Sequence, residues 1–227
     1  MFINKIGSHH VEYGNNCQDF GNIDEEAFIL SPIHGNKTIK SEVKIVCDGC
    51  SDGTDTEVGA KAFIHLMKQS AYNIKTVFSK LIDIFGQSVD FKKNFLTFTI
   101  LYSIEDEESF NVYNCGDGFC ILLNKQGEIE FVKFDCGEFP EYYVYNYIDA
   151  KYLKKYSEGV QLHESKFSKD EYQKVGVASD GIRFVFEQSE EFQDKFKQLL
   201  INNKTGAMKR FINMNKQVFK DDITIAF

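Results

Sequence analysis

The sequence predicts a layered α+β domain, with antiparallel sheets flanked by helices. Three observations carry this reading. Short runs of β-branched and aromatic residues recur along the chain, many of them alternating. Only two blocks show helical periodicity. The strands follow one another in groups, whereas a Rossmann fold would need regular strand–helix alternation.

The elements run in this order. Ala27–Leu30 and Val43–Cys47 read as strands. A helical block follows from about Glu57 to Gln87, with Val58, Ala62 and Leu66, then Ile74, Val77, Leu81 and Phe85, at helical spacing. Asp55 or Thr56 would cap it, and Ala71–Asn73 breaks it into a pair. A meander comes next: Phe95–Ile104, Ser109–Asn114, Phe119–Leu123 and Glu128–Phe134. Glu105–Glu108 is a solvated connection, and Asn124–Gly127 a hairpin turn. Between Cys136 and Tyr172 the pattern weakens: Tyr143, Tyr145 and Tyr147 alternate, and Tyr152–Tyr156 is lysine-rich. We read it as an inserted or mobile segment beside the sheet. The strand Tyr172–Ala178, a second helical block from about Glu190 to Val218 and the strand Ile223–Phe227 complete the chain. Gly206 and Asn202–Asn203 divide that second block.

The 227 residues contain no repeat, low-complexity tract or proline-rich linker, so residues 1–227 are read as one domain. With 43% hydrophobic and 15% aromatic residues the chain can bury a sizeable core. A formal net charge of −8 repels nucleic acid and anionic membranes. No apolar run reaches the roughly 18 residues that would span a bilayer, and Met1–His10 has no signal-peptide core. A cytoplasmic protein with six reduced cysteines is expected, and nothing demands more than a monomer. Cys47 and Cys50 could combine with Cys115 and Cys120 as a zinc site. Cys47 and Cys120 lie inside apolar runs, however, which suits buried thiols better.

The placement of the aspartates is the informative feature. Three strands end in Asp-Gly or Gly-Asp-Gly, at Asp48-Gly49, Gly116-Asp117-Gly118 and Asp180-Gly181. Asp221-Asp222 immediately precedes the last strand. One such Asp-Gly is usually a turn. Several can converge on one rim, because antiparallel neighbours set the end of one strand beside the start of the next. Converged carboxylates repel unless a hard divalent cation lies between them, and carboxylates with carbonyls and waters are the ligands Mg²⁺ and Mn²⁺ take.

These motifs, in this order, resemble the metal-dependent (type 2C, PPM) Ser/Thr protein phosphatases over nearly the whole chain. The opening Ser8-His9…Cys17-Gln18-Asp19 looks like the bacterial branch. The resemblance implies a central antiparallel β-sandwich with helix pairs on both outer faces. It implies that Asp48 bridges two Mn²⁺ or Mg²⁺ ions, with the Gly49 carbonyl on the second and Asp180 and Asp221 on the first. Asp19 would orient bound waters, completing a catalytic set with Asp48, Asp180 and Asp221, and Asp117 would serve a third metal. It implies hydrolysis of phosphoserine or phosphothreonine by a metal-bridging water, with a phosphorylated protein as partner and a cognate Ser/Thr kinase nearby. No cysteine has a role in that chemistry, and Cys17 reads as a packed thiol.

The chain departs from the family pattern at three places. Gln18 stands where many members have Glu, and Phe184 replaces the last Asp of Ser-Asp-Gly-x-x-Asp. Gly14 stands where many members carry an arginine that grips the substrate phosphate. His9, His10 or Lys5 is the expected substitute for that arginine, with His9 named for the substrate phosphate. Two other readings remain: a non-catalytic domain that binds a phosphorylated partner or kinase, and a hydrolase of small phosphate esters. Substrate choice is expected to sit in the Glu138–Gln161 segment.

Overall fold

Runs of apolar residues in this chain become strands that are buried on both faces. The computed structural model describes residues 1–31, 37–137, 141–148, 156 and 158–227. Ten strands form two antiparallel five-stranded sheets among these residues. The first has the order β1 (Phe2–Lys5), β10 (Ile223–Ala226), β9 (Tyr172–Ala178), β6 (Gly118–Asn124), β7 (Ile129–Phe134). The second has the order β2 (Phe20–Ser31), β3 (Lys37–Cys47), β4 (Ile100–Glu105), β5 (Ser109–Cys115), β8 (His163–Ser168).

The sheets pack face to face. Val46, Leu101, Phe110 and Val112 of one meet Cys120, Leu122, Val175, Val177 and Ala226 of the other. Side chains alternate along a strand, so the intervening residues face outward onto helices. On β6, Phe119, Ile121 and Leu123 turn away from the sandwich centre, and all seven residues of the strand are buried.

Two helical layers cover the outer faces. Helices α2 (Thr56–Gln69), α3 (Ile74–Phe85) and α4 (Val89–Leu96) set Phe63, Met67, Phe78, Leu81 and Leu96 against Ile29, Val43 and Ile45. On the other side, α5 (Arg183–Phe186), α6 (Glu190–Ile201) and α7 (Thr205–Met214) bring Val185, Phe196, Leu200, Met208 and Ile212 onto Ile121, Ile223 and Ile225. Each fully buried side chain of this kind contributes about 1.5–3 kcal/mol over its exposed state. The predicted layered α+β fold, a sandwich between helices, is the fold observed.

Several local expectations are corrected. Phe95 and Leu96 do not begin a strand; they end α4, which Ser88 caps by accepting a hydrogen bond from Phe91 N at 3.1 Å. Phe95 stacks on Phe85 at 4.8 Å between ring centroids, which keeps it in the helical layer. The alternating tyrosines of the segment read as inserted or mobile form a 3₁₀ turn, Tyr143–Tyr147. Tyr143 packs against Phe78 at 4.8 Å, and Lys92 Nζ donates to Tyr147 O at 2.7 Å. Residues 141–148 are therefore part of the core, not a mobile insertion. β8 also emerges from the segment read as patternless, and it pairs with β5. Residues 138–140, 149–155 and 157 of the segment expected to set specificity lie outside the described residues.

The N-terminus adds β1 and the short helix α1 (Ser8–Tyr13), both too brief to show periodicity. The hairpin at Asn124–Gly127 forms as expected: Asn124 Oδ1 accepts from Glu128 N at 2.9 Å and Gly127 has φ +86°. Cys47 belongs to the core under α2, whereas Cys120 lies between the sheets, and all six cysteines are free. Cys47 and Cys120 are buried thiols in separate clusters, as their apolar runs suggested.

Candidate active site

Asp48 follows β3, Asp117 lies in the β5–β6 connection, Asp180 follows β9, and Asp221 precedes β10. All four line one pocket of about 290 Å³ at an edge of the sandwich. Gly49, Cys50, Ser51, Thr99, Cys136, Gly137 and Tyr142 complete its wall. The convergence expected from the Asp-Gly pattern is what the topology produces. One sheet supplies Asp48 and the other supplies Asp180 and Asp221.

The glycines after two of these aspartates serve close approach. A Cβ on Gly49 would lie 2.4 Å from Thr56 Oγ1, at the start of α2. One on Gly181 would lie 1.8 Å from the Asp222 carbonyl oxygen. Only glycine lets these turns sit against the neighbouring elements. The backbone of Asp48 is fixed by Thr99: Asp48 N donates to Thr99 Oγ1 at 3.2 Å, and Thr99 N donates to Asp48 O at 2.8 Å.

Asp19 lies behind the pocket and is 2% exposed. Neither of its carboxylate oxygens has an aligned hydrogen-bond partner. Burial, then the charge of Asp222, pushes its carboxyl above the ordinary range; the side chains of Ser179 and Asp48 counter this only in part. Asp48 is raised as well, first by burial and then by the charge of Asp19. Two acids that cannot both ionise comfortably are thus held side by side.

Asp221 and Asp222 play different parts. Asp222 is 2% exposed, and its two oxygens accept from Gly7 N at 2.7 Å and Gln18 N at 2.6 Å. His10 Nδ1 lies 2.9 Å from the same carboxylate without hydrogen-bond alignment. Asp222 therefore ties the N-terminal segment, including Asp19, to the start of β10. Asp221 is left to face the pocket.

Arg183 is the residue that sequence reasoning missed. One N–H of its guanidinium donates to Asp180 Oδ2 and another to Asp221 Oδ2, the latter at 3.2 Å. Two signals were available: Arg183 is one of only two arginines, and it stands three residues after Asp180, on the same face of a helical turn. His9, the expected phosphate contact, is exposed on α1 and does not line the pocket. Its neighbour His10 is the one that turns inward. Gly14 has φ +71° and closes α1, with its N–H bonded to the helix's last carbonyls. The position at which the sequence resemblance leads us to expect an arginine is thus a left-handed helix stop, which a residue with a side chain adopts only with strain. Gln18 reaches Cys50 O at 3.3 Å and Thr56 Oγ1 at 3.4 Å, joining two loops. Cys17 is half-buried; burial first, then the charges of Asp222 and Asp19, push its thiol up, away from thiolate character.

The donor set suits a hard divalent cation: carboxylate oxygens from four turns, with the orphaned oxygens of Asp19 behind them. As the side chains stand, no group of three or more His, Cys, Asp or Glu among the described residues forms a ready metal cage. The guanidinium of Arg183 takes up Asp180 and Asp221 instead.

No protein-family model matches the sequence, and no curated protein is similar to it in sequence. Solved structures do match in fold. The serine/threonine phosphatase Stp1 from Staphylococcus aureus superposes with a TM-score of 0.62 at 16% identity, covering 100% of this chain and 94% of that one. The catalytic domain of the serine/threonine protein phosphatase PstP, in complex with two manganese ions, gives 0.57 at 12% identity, covering 99% and 94%. RsbX in complex with magnesium gives 0.54 at 13%, covering 99% and 90%. The chain shares the fold of these solved structures over 99–100% of its length.

Proposed function

We propose that this chain is a Mn²⁺- or Mg²⁺-dependent phosphatase of phosphoserine and phosphothreonine in proteins. The observation that carries the reading is the pocket itself: Asp48, Asp117, Asp180 and Asp221 arrive from two sheets, with the unpartnered Asp19 behind them. Asp48 and the Gly49 carbonyl would hold one ion, Asp48 with Asp180 and Asp221 the other, and Asp117 a third. Bound there, the ions supply Lewis-acid activation of water and neutralise phosphoryl charge.

The chain's own residues do the rest. Thr99 and the tight packing of Gly49 keep Asp48 in place. Asp19 would orient the groups in front of it from its buried position behind the pocket. Asp222 anchors the strand start that presents Asp221. Ser51 and Thr99 offer hydroxyl donors on the pocket wall. Burial and the neighbouring carboxylates push the Cys17 thiol up, which does not favour it as a nucleophile. The reading extends to a monomeric cytoplasmic enzyme that opposes a Ser/Thr kinase. No helix among the described residues is long and apolar enough to cross a membrane.

One observation favours the non-catalytic alternative: a glycine helix stop stands where the family's phosphate-gripping arginine would be. Hydrolysis of a phosphothreonine peptide and of an aryl phosphate, with and without Mn²⁺, separates the readings. Metal-dependent cleavage of the peptide is expected, with Asp48→Asn lowering kcat by about 100-fold or more. Full activity in Asp48→Asn would remove the metal assignment. Mn²⁺ binding without cleavage of either substrate would make the chain a binding domain, and cleavage of the aryl ester alone a small-ester hydrolase.

A further inference from the structure

The Asp180–Asp221 pair already has a cation. The 3₁₀ turn Asp180–Ile182 runs directly into α5, so Arg183 stands one helical turn from Asp180 and on its face. Its planar fork spans two carboxylates that come from different strands, one N–H to each. A lysine could not make both contacts in fixed directions. The side chain is 44% exposed, against 17% for Asp180 and 36% for Asp221, so the clamp lies at the mouth of the pocket, not in its floor. The guanidinium also rests over the Phe184 ring, 4.8 Å from its centroid. Phe184 is the residue found where an additional acid would complete the metal motif. At the position where the resemblance expects a carboxylate, this chain has a ring that supports a cation.

We propose that Arg183 is a built-in counter-ion that competes with a divalent ion for Asp180 and Asp221. The inference rests on reading the pocket as a metal site. The guanidinium takes the Oδ2 atom of each carboxylate, and a divalent ion on the same pair would stand against its positive charge. Metal entry at this pair therefore costs the two charge-assisted hydrogen bonds, and the clamp sets a threshold concentration for loading. In metal-free protein it does the opposite service, neutralising part of the repulsion among the pocket carboxylates.

The test is isothermal titration of Mn²⁺ alone into wild type and Arg183→Gln, with thermal unfolding of both in chelator and in saturating Mn²⁺. Arg183→Gln is expected to bind Mn²⁺ about tenfold more tightly, equivalent to about 1.4 kcal/mol. It is also expected to melt lower than wild type in chelator and to gain more from added Mn²⁺. Arg183→Lys, which keeps the charge but loses the fork, should fall between them, and it carries the comparison if the glutamine variant folds poorly. If wild type binds Mn²⁺ and both variants bind it equally or more weakly, the counter-ion role is overturned and the metal site stands. If no form binds Mn²⁺, both the counter-ion role and the metal-dependent function fall.

Discussion

Replacing Asp222 by alanine should unfold much of what holds the pocket together, although Asp222 does not face it. Its carboxylate accepts from two main-chain donors, Gly7 N at 2.7 Å and Gln18 N at 2.6 Å, and only 2% of the residue is exposed. Alanine leaves both N–H groups buried without an acceptor. A hydrogen bond to a charged group is worth about 1.5–3 kcal/mol, so two give about 3–5 kcal/mol, taking the low end because both share one carboxylate. Domains of this kind hold only about 5–15 kcal/mol in all. Urea unfolding in chelator reads the loss without a metal contribution. With an m-value of about 2–3 kcal/mol/M, the midpoint should fall by about 1.5 M. The adjacent Asp221→Ala supplies the control. Asp221 is 36% exposed and faces the pocket, so its removal should move the midpoint by less than about 0.5 M. A shift below about 0.3 M for Asp222→Ala would refute the clamp, and equal shifts for the two variants would refute the division of labour between them.

Two further outcomes follow from the same geometry. In the folded chain Asp48 and Asp19 are raised above the ordinary 3.8 by burial and by neighbouring carboxylates. Below about pH 4 both folded and unfolded chains hold these protons; as pH rises the unfolded chain ionises first, so metal-free stability should fall from pH 4 towards neutrality. Thermal melts in chelator across that range should show the fall, with Asp48→Asn flattening it; an unchanged slope in the variant would contradict the repulsion. Phe78→Ala should cost about 3–5 kcal/mol by chemical denaturation, because the ring is fully buried and contacts Phe63, Phe98, Tyr143 and Tyr147. A cost below about 1 kcal/mol would mean that the tyrosine turn does not share this core.

The layered fold was legible because strand runs such as Val43–Cys47 and Tyr172–Ala178 are rich in β-branched or aromatic residues, and because the helix pair at 56–85 repeats its apolar residues cleanly. The pocket was legible in Asp48, Asp117, Asp180 and Asp221, since a carboxylate placed at a strand end has its location set by topology. What stayed hidden is decided by tertiary contact. Phe95 carries the same propensity in a strand as in α4, and only its stacking on Phe85 selects the helix. Tyr143, Tyr145 and Tyr147 alternate like a strand, but burial under α3 folds them into a turn. Gly14 looked like a lost arginine and is a helix stop. Arg183 was visible as a rarity in the composition, but its pairing with Asp221 needs β10 to lie beside the end of β9.

The pocket has no scaffold of its own; two separate sheets share it. Asp48 rides at the end of β3, while Asp180 and Asp221 ride on β9 and β10 across the sandwich. Their separation is therefore measured by whatever lies between the sheets, from Val46, Leu101, Phe110 and Val112 on one side to Cys120, Leu122, Val175, Val177 and Ala226 on the other. Cys120 and Ala226 are small, and they let the two layers come close. A bulkier residue at either place, remote from any carboxylate, would act as a wedge and retune the spacing of charges at the rim. Evolution of this site can thus proceed through its spacer as readily as through its ligands.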